Sequence, residues 1–444
     1  AKKILKPSAP VGEVLSGAAT RGKKKETLIE QIKLSSGIQV LYYPRAHSHV
    51  FSAHACMMGG LRLEMAQAAE KAAQDWGSSY MMSLTWSKGT STKTANQISA
   101  LVESHAASID GFSGRNTVGI QMTGLAKDWG ALSPLFSEVL FDPSFTEDEV
   151  EHARRIAEDQ VKSIEDHSSQ LCTKLFLKTL FEAHPYGHLT SGSLASLATI
   201  RQAKLKKFHD AWVKPERMVI SLSGDVKKGA LDLWLTELEK SAIAHTQGTA
   251  IPFQQLSDEP ELVADRWVEE VLKREQTHII VGGLGTTITS DDRYALRILQ
   301  TLIGGQSGRL FIELREKKSL AYTVAPMSFE GVERGYLGTY IACAPGKREE
   351  ALTGIREVYE KLAQKGPTPT EMKRAKEFYL GRRAMDLQSD PSIASHYGLE
   401  RVYGLDPQTE EQIIKRISSV SAKEVQELCR KYFVTPLQVT AVVS

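Results

Sequence analysis

At 444 residues the chain is too long for one ordinary core, and at roughly 150 residues per domain it is expected to hold two or three. Hydrophobic residues at 41% and charged residues at 24% are ordinary for a globular protein. A net charge of +2 leaves no basic footprint for nucleic acid, and no apolar run approaches the ~18 residues of a membrane-spanning helix, so an integral membrane protein is not expected. The four cysteines, Cys56, Cys172, Cys343 and Cys429, are scattered and form no CxxC pair, which argues against a cysteine zinc site and a disulfide framework.

Residues 1–25 are rich in Lys, Ala, Gly and Pro and read as an extended arm or linker. Within them, Gly17 to Lys24 nearly spells a phosphate-binding loop. The closing Ser or Thr is missing and no strand precedes it, so a flexible basic linker is the reading. Residues 38–43 (IQVLYY) and 50–58 (VFSAHACMM) read as strands in a hairpin-like pair. Helices are predicted over 66–86 and 95–107, a strand over 116–122, and a helix over 129–140 stopped by Asp142-Pro143. A long helix follows from Thr146 to His167, opened by a Thr146-Glu-Asp-Glu149 capping box. A helix over 204–212 and a strand over 218–222 close this half. Residues 231–262 lose the regularity and read as a linker. Beyond them come strands over 277–282 and 335–344 and helices over 291–303 and 349–364.

The second half repeats the first. Thr146-Glu-Asp-Glu149 opens one long helix, and Thr368-Pro-Thr-Glu371 opens another. Residues 208–215 (FHDAWVKP) parallel residues 429–436 (CRKYFVTP), and each precedes a closing strand. This predicts an α+β fold made by internal duplication of a unit of about 220 residues, with a cleft between the copies as the default binding site. The expected boundaries are an arm over 1–25, a first repeat over 26–230, a linker over 231–262 and a second repeat over 263–444.

Neither HExxH nor HxxEH occurs, and no nucleophile elbow is present. His47, His49 and His54 are close in sequence but lack an acid or cysteine at useful spacing, and read as polar residues of a hairpin. His184 and His188 flank a Pro-Tyr-Gly turn, where capping is the reading. The second informative stretch is 304–324, GGQSGRLFIELREKKSLAYTV. Its loop, Gly304, Gly305, Gln306 and Ser307, can present backbone N–H groups to a bound peptide. Arg309 offers a planar fork of donors and Tyr322 a hydroxyl, both suited to a peptide carbonyl or a developing oxyanion.

That stretch resembles the second domain of the inverzincin metallopeptidases, the family of pitrilysin, insulin-degrading enzyme and mitochondrial processing peptidase. The resemblance covers roughly residues 30–444 and includes GGLRLE (59–64), Lys88-Gly89-Thr90, Asp142-Pro143, His184-Pro185-Tyr186-Gly187 and Ser223-Gly224-Asp225-Val226. It implies a processing-peptidase-like fold, with each repeat a mainly antiparallel sheet packed with helices. Anchored on Lys88-Gly89-Thr90, the family's first zinc histidine falls on Tyr80, its glutamate base on Ser83, its second histidine on Leu84 and its third ligand on Gln160. None of the four can replace the original, so no zinc is expected in this chain.

What the resemblance implies is a non-catalytic, Arg/Tyr-bearing subunit or C-terminal half of a zinc endopeptidase. A homologous subunit or fused N-terminal half would carry the zinc. This chain would close the chamber, bind the peptide partly by strand addition and turn Arg309 and Tyr322 toward the scissile carbonyl. Some family members are proteolytically inactive core subunits of larger complexes, which is the alternative reading. The start at Ala1 and the basic first residues lean toward a fused or processed parent, soluble in a bacterial cytoplasm or periplasm.

Overall fold

The computed structural model describes residues 29–66, 76–245, 256–272 and 274–444. The arm expected over 1–25, and with it the near phosphate-binding loop, lies outside these residues, as does part of the expected linker.

The first half contributes strands β1 (Glu30–Lys33), β2 (Gln39–Pro44), β3 (Val50–Met58), β4 (Ser108–Ser113), β5 (Thr117–Leu125) and β6 (Val219–Gly224). Its helices are α1 (Leu61–Ala66), α2 (Ser78–Thr85), α3 (Ala95–Ser104), α4 (Trp129–Phe141), α5 (Glu147–Asp166), α6 (Ser168–Leu180), α7 (Leu194–Leu197), α8 (Gln202–Trp212) and α9 (Lys228–His245). The second half contributes β7 (Arg266–Glu270), β8 (Thr277–Leu284), β9 (Thr323–Phe329), β10 (Tyr336–Cys343) and β11 (Val439–Val443). With them come α10 (Asp292–Ile303), α11 (Arg348–Lys365), α12 (Pro369–Asp386), α13 (Asp390–Val402), α14 (Glu410–Ser419) and α15 (Ala422–Cys429).

The strands form two sheets, ordered β1-β2-β6-β3-β5-β4 and β7-β11-β8-β10-β9. Without the edge strand β1, the two orders are the same, strand for strand. In each, one pair is parallel, β2 with β6 and β7 with β11, and the others are antiparallel. Each sheet has its own apolar core. Phe51, Met81, Trp86 and Phe136 are buried in the first, and Leu299, Leu314, Leu362 and Val442 in the second. Burial of such side chains, at about 25 cal/mol per Å² of apolar surface, is the main force holding each sheet to its helices.

Two helices cross over. α6 follows the first half's long helix α5 but packs on β8 and β11 of the second sheet, and α13 follows α12 but packs on β3 and β6 of the first. Gly398 of α13 approaches the sheet so closely that a Cβ there would lie 3.1 Å from the Cβ of Ser221 and 3.2 Å from the Sγ of Cys56.

Four local expectations change. β2 and β3 are not a hairpin, because β6 lies between them, parallel to β2 and antiparallel to β3. Of the helix expected over 66–86, residues 67–75 lie outside the described residues, and α2 begins only after Gly77, whose φ of 94° is not helical. Thr146 makes no side-chain cap to α5, whereas Thr368 and Glu371 form the full reciprocal box at α12. The stretch expected to be a linker contains most of α9, which packs against α4.

Candidate functional site

The helix that opens the first candidate site is held from its amino end. Glu64, buried on α1, accepts the backbone N–H groups of Gly77 at 2.8 Å and Ser79 at 2.7 Å, placing a carboxylate where the α2 dipole is positive. Ser79 in turn donates to the Gly60 carbonyl at 3.0 Å. On α2, Tyr80 and Leu84 are half-buried against the first core, and burial raises the Tyr80 phenol above its ordinary pKa. The Ser83 hydroxyl is spent on the Tyr80 carbonyl of its own helix at 2.8 Å. Gln160 is exposed on α5, which packs against α2. A raised phenol, an internally bonded hydroxyl, a hydrocarbon and a neutral amide are not a zinc donor set, and no metal-dependent step can be assigned to these four positions.

The second candidate site lies between α10 and β9. Gly304 ends α10, donating to the Gln300 carbonyl at 2.9 Å, and Gly305, Gln306 and Ser307 are exposed. Gly308 is the tight point, since a Cβ there would meet the Gly304 oxygen at 2.0 Å and the Ile303 oxygen at 2.4 Å. The chain then winds into a π-helix, Phe311–Lys317, which buries Leu314. It reverses at Ser319, whose φ is 50°, with Ser319 N–H on the Arg315 carbonyl and Leu320 N–H on that of Leu314. π-Helical turns are uncommon and recur at functional sites. Tyr322 follows, its N–H fixed on the Ala342 carbonyl at 3.0 Å and its side chain 66% exposed.

Arg309 sits at the start of this corner, but its fork is occupied. Its Nε and Nη2 donate to Glu371 at 2.7 and 2.8 Å, and Nη2 also donates to the Gly366 carbonyl at 3.1 Å. The expectation that Arg309 offers its fork to substrate meets a guanidinium already bound in bidentate fashion to the first turn of α12. Of the exposed cations of the corner, Lys317 pairs with Glu313 and Lys318 with Glu357, while the Arg315 guanidinium lies 4.9 Å from the Phe311 ring centroid. Sequence reading passed over it, although it sits four residues after Phe311 on the same stretch, a spacing that stacks side chains on a helical face.

Other motifs turn out to join the halves. Arg62 of GGLRLE pairs with Glu333, which also accepts from His184 Nε2 at 3.3 Å. Burial alone would raise the Glu333 carboxyl, but hydrogen bonds from His184 and Arg62 pull it down to about 2. His184 Nδ1 accepts the Tyr186 N–H at 3.2 Å, the capping role expected for it. Tyr186 Oη donates to Asn116 Oδ1 at 2.6 Å and accepts the Val332 N–H at 3.1 Å. His54 is buried on β3, where desolvation lowers its pKa to about 4.

Two family models match the chain in tandem. Residues 68–193 match the insulinase model of peptidase family M16, and residues 199–379 match the peptidase M16 inactive domain. The chain belongs to peptidase family M16. Among M16 relatives, an uncharacterized zinc protease of Mycobacterium leprae is 26% identical over 348 residues, covering 78% of this chain and 77% of that protein. The Bacillus subtilis zinc protease YmxG is 24% identical over 361 residues, covering 80% and 86%. Among solved structures, the peptidase M16 inactive domain from Pseudomonas fluorescens superposes with a TM-score of 0.84 at 19% identity, covering 94% of this chain and 98% of that one. A protease from Helicobacter pylori gives 0.82 at 17% identity, covering 94% and 100%. The M16 fold is therefore an α+β arrangement of two antiparallel-rich sheets. Among the described residues, no helix of this M16 chain is long and apolar enough to cross a membrane.

Proposed function

We propose that this chain is the non-catalytic partner of an M16 zinc endopeptidase, as a subunit or as one half of a fused parent. A homologous subunit or half supplies the zinc and its general base. This chain closes the chamber, holds the peptide in an extended form and turns the corner at 311–322 toward the scissile carbonyl.

The observation that carries the reading is the contrast between the two sites. α2 carries no histidine, acid or cysteine, while Tyr322 stands in solvent beside a π-helix that displays Arg315. A phenol and a guanidinium on one rigid corner can donate to a carbonyl oxygen that gains charge, the most productive use of preorganised donors. Arg309 is assigned a positioning role, since reaching substrate would cost it the Glu371 pair. The exposed N–H groups of Gly305, Gln306 and Ser307 remain the proposed contact for the peptide backbone. Of the outer strands β4 and β9, β4 is better suited to strand addition, because Pro326 removes one donor from β9.

The test is reconstitution with a zinc-bearing M16 homologue and a fluorogenic peptide. This chain alone is expected to be inactive, and the mixture active. Tyr322→Phe and Arg315→Ala should each lower kcat about 100–1,000-fold with the assembly intact, the range for losing one oxyanion donor. Arg309→Ala should act mainly through stability. Unchanged kcat in both Tyr322→Phe and Arg315→Ala would favour the scaffold reading, an inactive core subunit of a larger complex. The specific support for that alternative is Arg309, whose fork serves the fold.

A further inference from the structure

Three side chains with no part in the proposed function converge where α8 and α9 end. His209 and Asp210 are neighbours near the end of α8, and His245 is the last residue of α9. One ligand-capable atom from each lies within 4.8 Å of the others, and among the described residues no other group of three His, Cys, Asp or Glu side chains does this. His209 Nδ1 is 3.6 Å from Asp210 Oδ1, close to the spacing of two ligands on one tetrahedral ion.

The orientation of both rings is fixed from behind. His209 Nε2 lies 2.9 Å from the Leu140 carbonyl, and His245 Nε2 lies 3.1 Å from the Val213 carbonyl. A carbonyl oxygen only accepts, so each Nε2 carries a proton. In the neutral ring the lone pair is then on Nδ1, the nitrogen left for the cluster. Ligating imidazoles are held in this way, with the far nitrogen donated to a carbonyl or carboxylate. The rings are also clamped: His209 is edge-on to Trp86, Phe145 and His245, at centroid distances of 5.4, 5.7 and 5.3 Å. Entry is open. Asp210 is exposed, and His245 lines a groove of about 630 Å³ between α4 and α9.

We propose that His209 Nδ1, His245 Nδ1 and an Asp210 carboxylate oxygen form a binding site for one divalent transition-metal ion of the zinc class, with solvent at the remaining position. Two imidazoles and a carboxylate suit zinc and its neighbours rather than calcium or magnesium, which take all-oxygen sets. The ion would clip the end of α9 to α8. The role is structural, and it is distinct from the erased positions on α2 and α5. A zinc assay of this chain therefore cannot be read as evidence for or against the M16 centre without locating the ion.

The experiment uses the full chain without a histidine tag, stripped by chelator and titrated with Co²⁺ and then Zn²⁺. One equivalent of Co²⁺ is expected to give visible absorption from a low-coordinate site, Zn²⁺ should displace it, and the metal should raise Tm. Asp210→Asn changes an exposed side chain and His245→Gln a helix end, so both should fold, as circular dichroism without metal would verify. Each should weaken binding by more than about 100-fold, beyond the range of roughly 10–100-fold for a supporting residue, and abolish the metal-dependent Tm rise. Gln160→Ala should change neither. The proposal is overturned if the stripped chain takes up less than one equivalent. It is equally overturned if both ligand variants bind as tightly as the wild type, which would place the ion elsewhere. A chain that binds no metal yet loses stability in Asp210→Asn would assign the cluster to a His209–Asp210 ion pair instead.

Discussion

Glu371 serves two elements at once. Its oxygens accept from Arg309 Nε and Nη2, and Oε2 also takes the Thr368 N–H at 2.7 Å and the Thr368 hydroxyl at 2.9 Å. The Arg309 hydrogen bond, joined by those of Thr368 and opposed by desolvation, pulls the carboxyl from 4.5 to about 2. A depressed carboxylate stabilises the fold fully above its unfolded pKa and loses that contribution as pH falls through the folded one. The stability difference between the wild type and Glu371→Gln should therefore be constant from pH 8 to 5 and shrink between about pH 4.5 and 2. At neutral pH it should be about 1–3 kcal/mol, the scale for a charge-assisted hydrogen-bond set. Urea midpoints across that pH series would check it, and a difference that grows on acidification would contradict the pairing. Sequence alone gave an arginine in a suggestive loop. It could not say that a carboxylate 62 residues away already holds it, because side-chain pairing across elements leaves no periodic trace.

At the scale of elements, the two long helices make a controlled comparison. Both begin with a threonine and a glutamate three residues on, and the sequence reads as a capping box twice. Only Thr368 accepts its Glu371 N–H, at 3.2 Å, with the glutamate returning the bond. Thr368→Ala should cost about 1 kcal/mol, while Thr146→Ala should cost a few tenths at most. Equal losses by thermal or urea unfolding would mean that the Thr146 cap forms in solution. The core face of α9 was legible in principle: Leu231, Trp234, Leu235, Leu238 and Ala242 are buried, at helical spacing. The interposition of β6 between β2 and β3 was not legible, because β6 lies about 160 residues downstream and strand pairing obeys no local signal. That α2 carries no histidine, acid or cysteine is read from residue type and needs no geometry.

For the whole molecule, the exchange of α6 and α13 makes each half's sheet depend on the other half's chain. Asp390 is the polar anchor of one exchange. It is 3% exposed in the first turn of α13, and it accepts the hydroxyls of Ser48 and Ser223, both at 2.5 Å. Arg45 lies 3.4 Å away. Replacing it by Ala strands the buried Ser223 hydroxyl, while Ser48 keeps the Val50 carbonyl and Arg45 the Gln388 carbonyl, at a cost of about 1–3 kcal/mol. If α13 only decorated the first sheet, the loss would stay within the second half. If it is part of that sheet's cover, Asp390→Ala should speed amide hydrogen exchange in β3 and β6 as well as in α13, since local opening follows packed units and not sequence order. Faster exchange confined to 369–402 would show that the halves are stable independently. The coupled outcome bears on the proposed chamber. A partner that closes around a peptide must move as one body, and reciprocal helices tied by Asp390 and by the Arg62–Glu333–His184 cluster are what would let two sheets do so.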